Sequence, residues 1–247
     1  MSVKIIINCG PCADYIGQCL RSVGAQTVPD WQALVTIDPC GDDTAAVAAA
    51  ARAGDPRIRI AVNAERRYAM ANLIAGIGRS GAKPDDVIVI LDGDDWFATD
   101  RALDRILAEY RDPDCWMTYG SWIANDPART GFPAGRWPAY DPGTTNFRAA
   151  PWRGTAVRSW RKFLWDRIDD RDFRGPDGDY FRMVEDQASM LPMLEMSGTA
   201  RARHIADVLM VYNRLNPYGC GKTDLNLMRG TEAYIRTRPA YRRLEQR

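Results

Sequence analysis

Apolar residues in the first half of the chain fall into two alternating textures. Short, largely apolar runs, Lys4 to Asn8, Trp31 to Asp38, Arg57 to Val62 and Val87 to Leu91, read as strands, and the last is continuous without polar alternation. Such runs describe strands buried on both faces, as in a parallel sheet. Between them lie stretches with helical spacing. Ala13 to Val23 places Tyr15, Ile16, Cys19, Leu20 and Val23 on one side. Asp42 to Arg52 is alanine-rich with an acid at its start to cap it, and Arg67 to Gly78 carries Leu73, Ile74 and Ile77. A further helix is predicted from Ala102 to Tyr110. Strand and helix in strict alternation predict right-handed crossovers and an α/β fold with a mostly parallel central sheet flanked by helices.

The second half is less regular. Trp116 to Trp122 predicts a strand, and Asn125 to Pro151 a long loop rich in Pro, Gly and aromatics, with Trp137 and Tyr140 as candidate sugar-stacking rings. Trp152 to Ile168 predicts a helix, with Val157, Trp160, Leu164 and Ile168 at helical spacing. Gln187 to Met196 predicts another, His204 to Tyr212 a last strand, and the basic stretch from Glu232 a solvated helix. Residues 1–112 and 113–247 are read as two halves of one continuous domain.

Composition narrows the class. The chain has 247 residues, 46% hydrophobic and 26% charged, with a net charge of +1. Those are globular values, and the charge singles out neither a nucleic-acid polymer nor a membrane as partner. No run reaches the ~20 apolar residues of a span, and the first apolar run is too short for a signal peptide. A cytoplasmic setting is expected. Of six cysteines, Cys9 and Cys12 have C-x-x-C spacing. There is no second pair to complete a zinc site, so free thiols are favoured over zinc or a redox pair. Gly219 to Thr223 (GCGKT) lacks the spacing of a phosphate-binding P-loop.

The acids after the fourth strand carry the chemistry. Asp92, Gly93, Asp94 and Asp95 follow Leu91 directly, at the strand ends where open α/β sheets bind ligands. Asp92 and Asp94 can share one side of an extended segment. Gly93 allows a ligand close to the backbone, and Asp95 reads as a cap for a segment starting at Trp96. A calcium-loop reading fails, because its glycine position is Phe97 and its terminal glutamate position Leu103. Two hard carboxylates suit Mg2+ or Mn2+ shared with a substrate diphosphate. Farther on, Glu185 and Asp186 stand at a predicted helix N-terminus, which favours ionised carboxylates; helix capping is the plainer reading.

Three stretches occur in order: residues 3–44 with Cys19, Leu20, Ser22, Gln26 and Thr27; LDGDDW; and VEDQASMLPML. Together they resemble family 2 glycosyltransferases of the GT-A fold, through their opening strand-turn-helix, their D-x-D element and their E-D element. The chain departs from that pattern at Cys9-Gly10-Pro11 and at Met70-Ala71-Asn72. The resemblance implies an inverting transferase acting on a nucleotide-sugar, with Asp38 at the base suggesting a uridine donor, although a thymidine donor presents the same imide edge. It assigns Asp92 to the ribose and Asp94, helped by Asp92, to Mn2+ or Mg2+. It lines the nucleotide pocket with Asn8, Gly10, Asn63 and Gly93, and makes Asp186 the general base beside Glu185. His204, the sole histidine, is either a structural ring or a further metal ligand. The acceptor is a saccharide, a lipid-linked glycan or a protein. A non-catalytic nucleotide- or carbohydrate-binding module and a nucleotidyltransferase are the alternatives. The latter usually needs a basic first loop, which CGPCAD lacks.

Overall fold

A computed structural model describes residues 1–126, 137–219 and 224–247. Its strands are β1 (Val3–Cys9), β2 (Trp31–Ile37), β3 (Ile58–Val62), β4 (Val87–Asp92), β5 (Trp96–Phe97), β6 (Met117–Ala124), β7 (Arg158–Arg161) and β8 (Ala202–Tyr212). The helices are α1 (Ala13–Gly24), α2 (Thr44–Ala51), α3 (Tyr68–Arg79), α4 (Ala102–Glu109), α5 (Lys162–Trp165), α6 (Glu185–Arg201) and α7 (Leu225–Thr237). The strands form one sheet in the order β3-β2-β1-β4-β7-β6-β8-β5.

The first four strands run parallel, as their apolar runs predict. Ile5, Ile6 and Ile7 are wholly buried on β1. Ile5 and Ile7 face α1, α2 and α4, whereas Ile6 joins Met70, Leu73 and Ile77 of α3. Gly76 permits that second contact: a Cβ there would come within 2.7 Å of the Ile6 side chain.

Beyond β4 the sheet is mixed. β7 runs antiparallel to both β4 and β6, and β8 is parallel to β6 with a register shift after Gly120. The helix predicted over 152–168 is thus replaced by a strand and the short α5. Trp160 and Leu164 are buried as the spacing requires, but Trp160 is buried from a strand between two partners, an outcome that tertiary pairing decides. The segment after Asp95 is likewise β5, paired with β8, and not a capped helix.

The C-terminal segment also departs from a solvated helix. Ile235 of α7 is buried, and Leu244 donates its backbone N–H to Met196 O on α6 (3.0 Å). A buried ion pair fastens this layer: Arg148 Nε and Nη2 donate to Glu195 at 2.6 and 3.0 Å, and Arg148 Nη1 donates to Ile235 O at 2.6 Å. Part of the Asn125 to Pro151 loop, and residues 220–223 of GCGKT, lie outside the described residues. Within the described part, Tyr140 is buried and Trp137 packs at a tilt against Trp122 (4.9 Å between ring centres), so both rings serve packing. No described helix is long and apolar enough to cross a membrane.

Candidate active site

β1, β2 and β4 end side by side, and the residues beyond them are stitched together by their backbones. Asp38 N–H donates to Cys9 O (3.0 Å), Asn63 N–H to Ile37 O (2.9 Å) and Gly93 N–H to Asn8 O (2.9 Å). Asn8 pairs with Asp92 across β1 and β4; its side-chain oxygen is buried without a hydrogen-bond donor. Asn8, Asp38, Asn63 and Asp92 therefore share one edge. Gly10 is exposed beside them, with open space where a side chain would stand.

Gly93 is required by packing within the chain itself. A Cβ on it would lie 2.4 Å from Cys9 Sγ and 3.2 Å from Cys12 Sγ, so the close approach is to the chain's own β1 end. Cys9 and Cys12 are free, buried thiols that pack beneath this loop.

Asp38 accepts from Asn63 Nδ2 (2.8 Å) and Arg67 N–H (3.0 Å) on one oxygen and from Tyr68 N–H (2.8 Å) on the other. Burial raises its pKa, but these donors and the Asn72 amide outweigh burial and hold it below the usual carboxylate value. A carboxylate has about four acceptor positions. Three are taken by these hydrogen bonds, and the Asn72 amide faces the carboxylate as well. Tyr68 has φ +64°, in the left-handed region that costs a bulky residue roughly 1–2 kcal/mol.

The acids on the far side converge on a residue that the sequence reading did not single out. Arg158, at the start of β7 and buried, lies 3.8 Å from Asp92 and 4.0 Å from both Glu185 and Asp186. β7 carries it there by pairing antiparallel with β4, with Arg158 opposite Ile90. Burial opposes its charge, but Asp186, Asp92 and Glu185 outweigh burial and hold the guanidinium protonated. Burial, partly offset by Arg158, pushes the Asp92 carboxyl up to about 6. Burial, then the charges of Asp186 and Asp92, push Glu185 up to about 7. The Asp186 side chain is 31% exposed against 15% for Glu185, so Asp186 is the more accessible of the pair. Val184, just before them, has φ +62°. For a β-branched residue that is a true outlier, of the kind concentrated at functional sites.

The loop after β8 closes the third side. Asn216 Nδ2 donates to Asp94 (2.8 Å) and to Pro11 O (3.2 Å), and Asn213 N–H donates to buried Asp95 (2.8 Å). Asp95 is therefore an anchor for that loop. Neither asparagine carried a sequence signal beyond loop composition. His204 stands apart, near the start of β8, whereas it is the far end of that strand that leads to Asn213 and the acids. Its ring packs against Tyr119 (5.3 Å), and burial depresses its pKa. Among the described residues, no three His, Cys, Asp or Glu side chains gather as a ready-made metal cage.

Residues 4–169 match the protein-family model described as glycosyl transferase family 2. Among solved structures, the fold is similar to that of S. aureus TarS, with a TM-score of 0.65 and 14% identity over 88% of this chain and 37% of that one. TarS 1-349 in complex with UDP gives a TM-score of 0.65 and 15% identity over 88% and 61% of the two chains. The mannosyltransferase PcManGT from Pyrobaculum calidifontis, in complex with GDP-Man and Mn2+, gives 0.60 and 18% identity over 85% and 56%. At these identities the likeness concerns the fold. The chain spans less than two thirds of the length of each of these structures. No curated protein sequence matches it.

Proposed function

The chain belongs to glycosyl transferase family 2, and from that premise we propose that it transfers a sugar from a nucleotide-diphosphate donor to an acceptor hydroxyl, with inversion. The observation that carries this reading is the convergence of Asp92 from the first half with Glu185 and Asp186 from the second around Arg158.

Asp38, held as a carboxylate at the end of β2, is suited to an imide N–H, which favours a uridine donor. Asn8, Gly10 and Asn63 line the same edge, and Asp92 extends it toward the ribose. The UDP complex of TarS 1-349 is consistent with that base, whereas PcManGT carries GDP-Man. Asp186, which accepts from Gln187 N–H (2.8 Å) and whose side chain is 31% exposed, is suited to take the acceptor's proton as general base. Burial pushes the Glu185 carboxyl up to about 7, so it holds a proton more readily than a free carboxyl. Arg158 faces both carboxyl groups of the pair at 4.0 Å.

The donor set fits a hard divalent cation. Asp94 and Asp92 offer carboxylate oxygens at the end of β4, where Glu185 and Asp186 add two further acids around Arg158. Mn2+ and Mg2+ bind one or two carboxylates and complete their shell with substrate phosphates and water. When bound, such an ion supplies electrostatic stabilisation to the departing diphosphate.

Thermal shift across nucleoside diphosphates and nucleotide-sugars, with and without Mn2+, tests the donor: UDP with Mn2+ is expected to raise Tm. Asp186→Asn is expected to abolish transfer and leave UDP affinity within about twofold. Equal loss of UDP affinity would remove the base assignment.

A further inference from the structure

The rim of the cleft carries a second feature that the transfer chemistry does not use. Arg66 and Arg182 come from separate segments, yet both guanidinium groups lie on the ring of Tyr68, 4.7 and 5.1 Å from its centre. Their separation therefore cannot exceed about 10 Å, one Debye length at 0.1 M salt. Both are exposed, as is adjacent Arg67. Among the described residues none of the three makes an ion pair, and neighbouring Glu65 pairs with none of them. Two like charges on one ring repel, and the ring's cation attraction offsets this by only about 0.5–1 kcal/mol per exposed contact.

The open groove beside the C-terminal layer contains Arg171, Arg174 and Arg238, paired with Asp169, Asp170 and Asp172 at 2.6, 2.6 and 2.9 Å. The Tyr68 cluster lacks such partners, and its position is fixed at both ends. Tyr68 N–H is held by Asp38 at the proposed base pocket, while Arg182 lies three residues before Glu185 at the proposed acceptor side. A strained backbone holds the ring in place at the first of these anchors.

We propose that Arg66 and Arg182, gathered on Tyr68, bind a phosphate or carboxylate group carried by the acceptor saccharide. The assignment of that group to an acceptor rests on the transferase reading; the presence of an anion site does not. Planar guanidinium groups suit both anions, through paired N–H donors.

The test is calorimetric binding to the full chain and to the Arg66→Ser/Arg182→Ser variant, first shown by circular dichroism and Tm to remain folded. The probes are an oligogalacturonate, a short poly(glycerol phosphate), a neutral malto-oligosaccharide, and UDP with Mn2+. The expected result is binding of at least one anionic oligomer, weakened about tenfold in the double variant and by added salt. The neutral oligomer should not distinguish the two proteins, and UDP affinity should change by less than about twofold. Equal binding of the anionic oligomers to both proteins, or to neither, overturns the proposal. A fall in UDP affinity of more than about fivefold in the variant places the arginines on the donor diphosphate, and overturns the acceptor assignment. Failure of UDP to bind the unaltered protein counts instead against the transferase reading, and the oligomer arm still decides whether the anion site exists.

Discussion

Replacing Asp38 with asparagine separates shape from charge at the proposed base pocket. Three donors converge on this carboxylate: Asn63 Nδ2, Arg67 N–H and Tyr68 N–H, at 2.8, 3.0 and 2.8 Å. An asparagine amide presents one oxygen and one NH2, so at least one of the three must face another donor. Hydrogen bonds to a charged group contribute about 1.5–3 kcal/mol each. Losing one and weakening the others costs about 2–4 kcal/mol. The left-handed turn at Tyr68 adds to this, because a Tyr68 N–H released from Asp38 removes what opposes its strain.

The pH dependence gives a second handle with a definite sign. Asp38 is held below its ordinary value in the fold. Its contribution to stability is therefore fully present above the unfolded pKa of about 3.9, and is lost as pH falls through the lower folded value. Urea unfolding between pH 7 and pH 3 should show Asp38→Asn destabilised by about 2–4 kcal/mol at pH 7, with the gap to the unaltered protein narrowing at the acid end. Near pH 7 the same variant should bind UDP at least about tenfold more weakly. Unchanged urea midpoints at pH 7, or a gap that widens on acidification, would refute the assignment of these three donors to an ionised Asp38.

Three further outcomes follow from packing and placement. Glu195→Ala leaves Arg148 charged, buried and without its carboxylate, and should cost about 3–5 kcal/mol in urea unfolding, whereas replacing both residues with leucine should recover most of that. Gly93→Ala drives a methyl into the Cys9 and Cys12 sulfurs; overpacking of about 1–3 kcal/mol and weaker UDP–Mn2+ binding by calorimetry are expected. His204→Ala, near the start of β8, should leave UDP–Mn2+ affinity within about twofold.

The first half was legible because a strand buried on both faces has to be largely apolar: β4 is so from Val87 to Leu91, and β1 and β2 are interrupted only by Lys4, Asn8, Gln32 and Thr36. The acids that follow β4 were legible for the complementary reason: a charge beside such a strand requires a counter-charge. The same logic cannot find β7. Its four residues Arg-Ser-Trp-Arg are all buried, and two of them are cations that only tertiary partners make tolerable. Arg161 donates to Cys115 O and Tyr110 O at 3.0 and 2.9 Å; Arg158 has the three acids. Periodicity reads Val157, Trp160 and Leu164 as a helical stripe because it has no term for a strand that completes a sheet from a distant part of the chain. Asn213 and Asn216 stayed hidden likewise, since their partners Asp95 and Asp94 lie more than a hundred residues away in sequence.

The residues that pattern-reading missed are also those that join the halves. β4 ends in acids that cannot be accommodated by the first half alone, because Asp92 and Asp95 are pushed toward protonation by burial. β7 brings a guanidinium to the first, and the loop after β8 brings a backbone N–H to the second. The E-D pair meets the same guanidinium. The cleft is thus electrostatically incomplete until β7 has paired with β4 and β8 has paired with β6. Strand pairing between remote segments is slow and costly in chain entropy. The donor edge and the E-D pair should therefore become competent together, as one cooperative unit, with Arg158 the shared member whose loss uncouples them.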